Sequence, residues 1–334
     1  LKVFQNEQLA PAAYEKTLWH MYDCTDWARN LLHCPTVAYS GELDTQKQAA
    51  DMMEKALAAE GMKLTHIIGP KTGHSYEKNA KEEINRRIDA IALKGRDVLP
   101  EHVKFTTWTL RYNQSHWVTV DALEQHWERA RVEADIDDEN QVIKVTTKNV
   151  AALTLAMPSG RYPFAVNHKA KVVVDGVKFD APLAETDRSW TARFAKNGKK
   201  WELVSDSAIR TSQSALQKRH GLQGPIDDAF LDSFLMVRPT GTPLNEKVGK
   251  WAAAEMAHAV THWRNQYRGD ARVKDDAAIT DEEKIAERFD YRALLTLAEQ
   301  RGDGQAEVLA QQIEQRGFDC GHGMNGDAQI KRLL

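Results

Sequence analysis

The hydrophobic periodicity of the chain changes at Pro100, and no other feature constrains the fold as strongly. Before Pro100, the apolar runs 36–40 and 64–68 each precede a stretch of helix-forming residues. After it, apolar and polar residues alternate through 101–204. Apolar runs followed by helices are typical of buried parallel strands, whereas alternation is typical of antiparallel strands with one buried face. The sequence therefore predicts two kinds of sheet in one chain.

The first part of the chain predicts the order strand, helix, strand, helix. Gly61 and Gly95 each follow a helical pattern, where glycine commonly ends a helix. Parallel strands need a crossover between them, so this order predicts a parallel sheet covered by helices, with both strands buried. The four predicted elements cover residues 36–40, 51–60, 64–68 and 79–93.

Residues 101–204 predict an all-β module of the sandwich type. Asp175-Gly176 and Asn197-Gly198 lie between alternating segments, and both dipeptides favour tight hairpin turns because their residues tolerate positive φ. The periodicity changes again near residue 205. The sequence thus divides into four predicted regions: an α/β region at 1–98, the all-β module at 101–204, a mixed α/β region at 205–280 and a helical tail at 281–334.

Composition excludes several classes of protein. The 334 residues are 42% hydrophobic and 28% charged, and the formal net charge is −3. A nucleic-acid binder would normally carry a basic face, so the interspersed charges argue against that class. No apolar run approaches the length of a membrane span, which argues against a membrane-spanning helix. Cysteine occurs only at Cys24, Cys34 and Cys320. Cys24 and Cys34 could form one disulfide bridge. The favoured prediction is two buried thiols, because free cysteines are commonly buried.

Two polar motifs follow the two predicted strands of the α/β region. Residues 39–44 place Asp44 after the first strand, and residues 69–74 place His74 on a loop after the second. Taken singly, Asp44 is typical of a helix cap and His74 of an exposed loop. Together they match the acid and the base of a serine-hydrolase triad, whose chain order is serine, acid, histidine.

Residues 35–44 and 69–74 resemble the C-terminal part of prolyl oligopeptidase-like serine peptidases, which belong to the α/β-hydrolase superfamily. The resemblance covers roughly residues 1–95. It implies an α/β fold class with a partial α/β-hydrolase parallel sheet, and catalytic roles for Asp44 and His74. It also implies a peptide or ester substrate and no metal or organic cofactor. Residues 101–280 resemble the accessory region of large multidomain bacterial members.

The chain departs from that family at the nucleophile. The G-x-S-x-G turn that should precede Asp44 is absent, so the sequence is interpreted as a fragment of a larger hydrolase or as a degenerate relative. Gly73-His74-Ser75-Tyr76-Glu77 is similar to this turn, but its last residue is not glycine and Ser75 is rejected as nucleophile. A carboxylesterase-type hydrolase and a non-catalytic binding protein are the alternatives. Histidines 20, 33, 66 and 74 lack the spacing of sequence-local metal ligands.

Overall fold

The computed structural model describes residues 10–205, 217–221, 223–224, 230–280, 283 and 288–289. The chain divides into two compact units, Leu1–Ser212 and Gln213–Leu334. The first unit contains a small layer of helices and parallel strands followed by a large β module. The second unit is built around a short three-stranded sheet.

The α/β layer consists of one parallel strand pair with helices around it. Val37 lies opposite Thr65, and Gly41 lies opposite Gly69, so the two strands end at the same edge. The elements are α1 (Ala13–Trp19), a 3-10 helix (Cys24–His33), β1 (Val37–Gly41), α2 (Lys47–Ala59), β2 (Thr65–Gly69) and α3 (Lys78–Lys94). The expected burial of both strands is wrong, because Val37 and Ile67 are only half-buried and Ile68 is 38% exposed.

The β module is a two-layer sandwich. One sheet has the order β10-β9-β7-β6-β3 and the other β12-β11-β8-β5-β4. All neighbours pair antiparallel except β7 and β9, which are parallel. The strands are β3 (His102–Thr107), β4 (Gln114–Ser115), β5 (Val118–Leu123), β6 (Ala130–Asp137), β7 (Val142–Lys148), β8 (Val150–Met157), β9 (Lys171–Val174), β10 (Val177–Asp180), β11 (Trp190–Asn197) and β12 (Lys200–Val204).

Alternation along the strands builds the sandwich core. In β6 every second residue from Ala130 to Ile136 is buried, and the residues between them are partly exposed. Buried side chains from both sheets, among them Val132, Leu153 and Phe194, belong to one hydrophobic cluster. Because side chains alternate between the two faces of a strand, this pattern gives each sheet one inner and one outer face.

Both dipeptides that predict hairpins lie at hairpins. Asp175 and Gly176 connect β9 to β10 with φ values of 46° and 84°, as a two-residue turn of the primed type requires. The second turn is displaced by one residue, because Asn197 still pairs with Lys200. Gly198 therefore occupies the first turn position, with φ of 63°.

The predicted fold class, a partial α/β-hydrolase with a parallel sheet, is wrong. The described residues are mostly β-sheet, and most strand pairs are antiparallel. In the predicted α/β region only β1 and β2 pair in parallel, and no other described strand joins them. The order strand, helix, strand was read correctly as a local unit, but local order does not determine how many strands join a sheet.

The second unit packs one helix against a short sheet. Strand β13 (Phe234–Arg238) lies between β14 (Val273–Asp275) and β15 (Arg288–Phe289), and helix α4 spans Glu246–Tyr267. Trp263 of α4 contacts Phe230 and Phe234, with ring centroids 6.1 and 4.7 Å apart. Most of the helical tail predicted for 281–334 lies outside the described residues and stays a prediction, and residues 288–289 of that region form β15.

Two expectations from composition can be compared with the structure. Cys24 and Cys34 are both free and exposed, so neither the bridge nor the pair of buried thiols is present. Cys320 lies outside the described residues. Within the described part of the chain, no helix has the length and apolar character needed to cross a membrane.

The 3-10 helix covers the free edge of the sandwich. Strand β3 ends its sheet, so the outward backbone groups of Lys104 and Thr106 need partners. The Asn30 side chain donates to the Thr106 carbonyl at 2.9 Å and accepts from the Thr106 N–H at 2.8 Å. His33 Nε2 accepts from the Lys104 N–H at 3.2 Å. These side chains take the place of a neighbouring strand.

A cluster of arginines around Glu60 joins the α/β layer to the sandwich. Glu60 follows the last residue of α2, and its carboxylate accepts from Arg29 at 2.8 Å, Arg129 at 2.8 Å and Arg131 at 2.9 Å. Arg29 also donates to Glu133 on β6. The Arg29 and Glu60 side chains are only 5% and 7% exposed. Burial opposes ionisation of Glu60, but the hydrogen bonds from Arg29 and Arg129 hold its pKa below the ordinary value.

Replacing Glu60 by glutamine should strongly destabilise the first unit. The Glu60→Gln variant removes the buried carboxylate that neutralises Arg29 and leaves it only the more exposed Glu133, and breaking a buried ion pair costs about 3 kcal/mol. Urea denaturation measures the loss in the free energy of unfolding. The matched control is Glu83→Gln, which removes the exposed ion pairs to Arg86 and Arg87 and should change stability little. Equal effects of the two substitutions would contradict a structural role for Glu60.

His33 makes the stability of this junction dependent on pH. Burial and the nearby His116 lower the pKa of His33 from 6.5 to about 4. The contact with Lys104 acts in the same direction, because His33 Nε2 must be unprotonated to accept the N–H. The unfolded chain therefore binds a proton near pH 6.5 that the folded chain excludes until about pH 4.

We expect stability to be complete above pH 6.5 and to fall as the pH is lowered toward about 4. The His33→Gln variant retains an acceptor for the Lys104 N–H but does not titrate. Its Tm should depend less on pH across this window than the Tm of the parent chain. His168→Gln, at an exposed position, is the matched control for loss of a histidine, because it keeps the contact of His33 with Lys104. An unaltered dependence in His33→Gln would refute the assignment.

Candidate functional site

The loops that follow β1 and β2 are joined by backbone hydrogen bonds. The Glu42 N–H donates to the Gly69 carbonyl at 2.9 Å, and the Leu43 N–H donates to the Thr72 carbonyl at 2.9 Å. In return, the Lys71 N–H donates to the Glu42 carboxylate at 2.7 Å. The carboxyl ends of parallel strands meet at one edge of a sheet, and polar groups collect there. These bonds fix the loop of Asp44 against the loop of His74.

Asp44 and His74, the two predicted site residues, lie in direct contact. His74 Nδ1 is 2.9 Å from Asp44 Oδ2. The other carboxylate oxygen, Oδ1, accepts from the Gln46 N–H at 2.8 Å. The hydrogen bond from Gln46 and then that from His74 lower the pKa of Asp44. The Asp44 side chain is 11% exposed and that of His74 is 74% exposed. A nearly buried carboxylate, fixed by the Gln46 N–H, thus orients an imidazole ring that is open to solvent.

Two glycines allow the loops to approach so closely. A Cβ on Gly41 would lie 2.1 Å from the Gly73 carbonyl oxygen and 2.5 Å from that of Thr72. A Cβ on Gly69 would lie 2.1 Å from the Tyr39 hydroxyl. All three distances are far below van der Waals contact. At Gly41 a close backbone approach excludes a side chain, and at Gly69 a side chain would displace the Tyr39 hydroxyl.

Tyr39 anchors the segment that carries His74, a role that the sequence pattern does not identify. Its hydroxyl donates to the Ser75 carbonyl at 2.8 Å and accepts from the Glu77 N–H at 2.9 Å. Its ring stacks on Tyr76, with centroids 4.8 Å apart. The only sequence signal is the position of Tyr39 two residues before the end of β1. Its hydrogen bonds to the residues on either side of Tyr76 fix the segment between His74 and α3.

The hydroxyls nearest in sequence are engaged elsewhere or misplaced for catalysis. The Ser40 hydroxyl lies 2.9 Å from His66 Nε2, and the Thr72 hydroxyl donates to the Gly69 carbonyl at 2.8 Å. Ser75 is exposed and adjacent to His74 in the chain. Among the described residues, Asp44 is the sole hydrogen-bond partner of His74. The structure places an aspartate and a histidine in contact, and no hydroxyl of the described residues is hydrogen-bonded to either side chain.

A hydrogen bond between histidine and aspartate is not in itself distinctive, because the described residues of the first unit contain two more. His20 bonds to Asp26 at 2.6 Å, and its ring stacks on Trp108 at 3.8 Å, where it contributes to packing. His102 bonds to Asp135 across neighbouring strands of the sandwich. The His74 pair differs in lying after two parallel strands, on an acid fixed by a backbone N–H, with the ring open to solvent.

Comparisons with known proteins leave the family unassigned. No protein-family model matches the chain. No curated protein matches it significantly. No solved structure matches it significantly either. Functional inference therefore depends on the geometry of the site and on the motifs around Asp44 and His74.

Adding a methyl group at Gly41 should separate His74 from Asp44. The Gly41→Ala variant must displace the backbone of Thr72 and Gly73, which carries His74, and overpacking of this kind costs about 1–3 kcal/mol. Nitrogen-15 NMR of the imidazole should show loss of the hydrogen-bonded Nδ1 signal, and thermal denaturation should show a lower Tm. The control is Gly73→Ala, whose added Cβ meets no atom within 4 Å. An unchanged His74 signal in Gly41→Ala would contradict the steric argument.

Proposed function

We propose that Asp44 and His74 are the acid and the general base of a serine-type hydrolase acting on a peptide or ester bond, with a peptidase of the prolyl oligopeptidase type as the leading case. The observation that carries this proposal is the contact of 2.9 Å between His74 Nδ1 and Asp44 Oδ2. It lies at the shared end of two parallel strands, in the chain order acid then histidine that such triads use.

The ionisation of Asp44 determines which nitrogen of His74 can act as a base. Because its pKa is lowered, Asp44 is a carboxylate near neutral pH and can only accept hydrogen bonds. Nδ1 of His74 must then carry the proton of the neutral ring. This leaves the lone pair on Nε2, on the opposite side of the ring from Asp44. That tautomer is the one a general base needs.

In the proposed reaction, Nε2 of His74 takes the proton of a serine hydroxyl as the oxygen attacks the substrate carbonyl. The imidazolium that forms is stabilised by Asp44 and returns the proton to the leaving group. Water then releases the acyl group from the serine by the same steps. The serine must come from outside the described residues, because none of those described is bonded to His74. The 74% exposure of the ring leaves room for it.

A fluorophosphonate probe tests this proposal, since it labels only activated serines. We compare this chain with the complete polypeptide that its gene encodes. The complete polypeptide should be labelled at a G-x-S-x-G serine, and the 334-residue chain should remain unlabelled. His74→Ala and Asp44→Asn should each slow labelling of the complete polypeptide by about 10³-fold or more, as in other triads.

The second His–Asp pair supplies the control. Asp26→Asn alters the contact with His20 but should not change the labelling rate, because that pair lies away from the strand ends. Labelling of the 334-residue chain at Ser75 would contradict the proposal and would indicate that Ser75, in the turn of residues 73–77, is the nucleophile. A complete polypeptide that has no reactive serine would favour the alternative of a non-catalytic binding protein.

A further inference from the structure

A second polar cluster lies on the same strand pair and is independent of His74. Asp51 and Glu54 are three residues apart on α2, and so lie on one face of the helix. His66 belongs to β2. One ligand atom from each residue lies within 4.8 Å of the others. The cluster escapes a search for local ligand motifs because its members come from a helix and a strand that only the fold brings together.

His66 is held in a way that a positively charged ligand would explain. Its side chain is only 6% exposed. Nε2 lies 2.9 Å from the Ser40 hydroxyl. Nδ1 faces Asp51 Oδ1 at 4.0 Å and Glu54 Oε2 at 3.8 Å, too far for a hydrogen bond to either. Nδ1 thus points between two carboxylates, and no described group hydrogen-bonds to it.

We propose that Asp51, Glu54 and His66 bind a Zn²⁺ ion. One imidazole and two carboxylates are a ligand set that zinc uses, with water in the fourth position. Tetrahedral zinc at roughly 2.1 Å from each ligand places the ligand atoms roughly 3.4 Å apart. The gaps of 3.8 and 4.0 Å close by small rotations of the carboxylates, which are 38% and 49% exposed at Asp51 and Glu54.

Ser40 positions the imidazole for this role. A histidine that binds zinc generally gives its other N–H to an acceptor, which fixes the tautomer and the orientation of the ring. If Nε2–H of His66 donates to the Ser40 hydroxyl, the lone pair lies on Nδ1 and points at the space between the carboxylates. Ser40 is buried on β1, directly opposite Ile68 of the neighbouring strand. It is therefore a positioning residue.

Lys47 competes with the metal ion. Its ammonium group lies 2.6 Å from Asp51 Oδ1, one helical turn away, and is the first cause of the lowered pKa of Asp51. Zinc must displace this ammonium or share the carboxylate with it. Removing the lysine charge should consequently strengthen zinc binding. Loss of a salt bridge with no metal function would instead leave zinc affinity unchanged.

The test must first remove a second zinc chelator from the chain. His258 and His262 lie four residues apart on α4 with ring centroids 5.9 Å apart, and paired histidines at this spacing can bind zinc on an exposed helix. All measurements therefore use a chain that carries His258→Gln and His262→Gln. This background chain is stripped with a chelator, and Zn²⁺ alone is added in an isothermal titration.

We expect one zinc ion per chain, a higher Tm in its presence, and a zinc-induced shift of the His66 Nδ1 resonance. His66→Gln and Glu54→Gln should abolish this binding, and Ser40→Ala should weaken it about tenfold. Lys47→Gln should tighten it. Circular dichroism shows whether each variant is folded, and the half-exposed Glu54 provides a ligand variant that should fold even if His66→Gln does not.

Three results would overturn the proposal: no zinc binding by the background chain, binding that survives Glu54→Gln, and preferential binding of Ca²⁺ over Zn²⁺. The probe is independent of hydrolase activity. Zinc binding can therefore fail while the roles proposed for Asp44 and His74 stand, and the reverse also holds.

Discussion

The ion cluster at Glu60 is the interaction on which the α/β layer depends. A carboxylate at the C-terminus of a helix is repelled by the helix dipole, and burial raises the cost of its charge. Both penalties are offset because Arg29, Arg129 and Arg131 all donate to it. Arg29 reaches in addition to Glu133 on β6. Three separate parts of the chain, the 3-10 helix, α2 and the sandwich, thus meet at one buried carboxylate.

The strand pair needs this support because its own core is small. Among the described residues, the cluster beneath it has three buried members, Ala28, Leu57 and Leu64, with partly buried side chains packed around them. A two-stranded sheet is marginal in isolation, whereas the sandwich beside it has a large continuous core. The Asn30 and His33 side chains that complete the edge of β3 attach the layer at a second place. The α/β layer that carries the candidate site is therefore held in place by contacts with the β module.

The same two strands present two histidines in opposite environments. His74 is exposed and hydrogen-bonded to an ionised, fixed aspartate, which suits proton transfer with a group arriving from solvent. The His66 side chain is only 6% exposed, and its Nδ1 has no described hydrogen-bond partner, which suits a cation held between carboxylates. Ser40 and Gly41 are adjacent on β1, the first serving His66 and the second the loop of His74. Burial and hydrogen bonding, and not residue type, distinguish the two proposed roles.

Much of the local structure follows from the sequence alone. Alternation and the turn at Asp175-Gly176 specify antiparallel strands and a hairpin, because side-chain direction and positive φ are local properties. The order of strand, helix and strand specifies that Asp44 and His74 follow two parallel strands. The predicted α/β fold class failed because the number of strands that join a sheet depends on contacts between distant segments.

Tertiary structure alone decided the remaining features. The arginines around Glu60, the covering of β3 by Asn30 and the meeting of Asp51, Glu54 and His66 all join residues from different elements. Such contacts leave no periodic signal, because each depends on how elements dock and not on spacing within one element. The sequence determined which side chains could carry charge and chemistry, and the fold decided which of them are buried, which are exposed and which face one another.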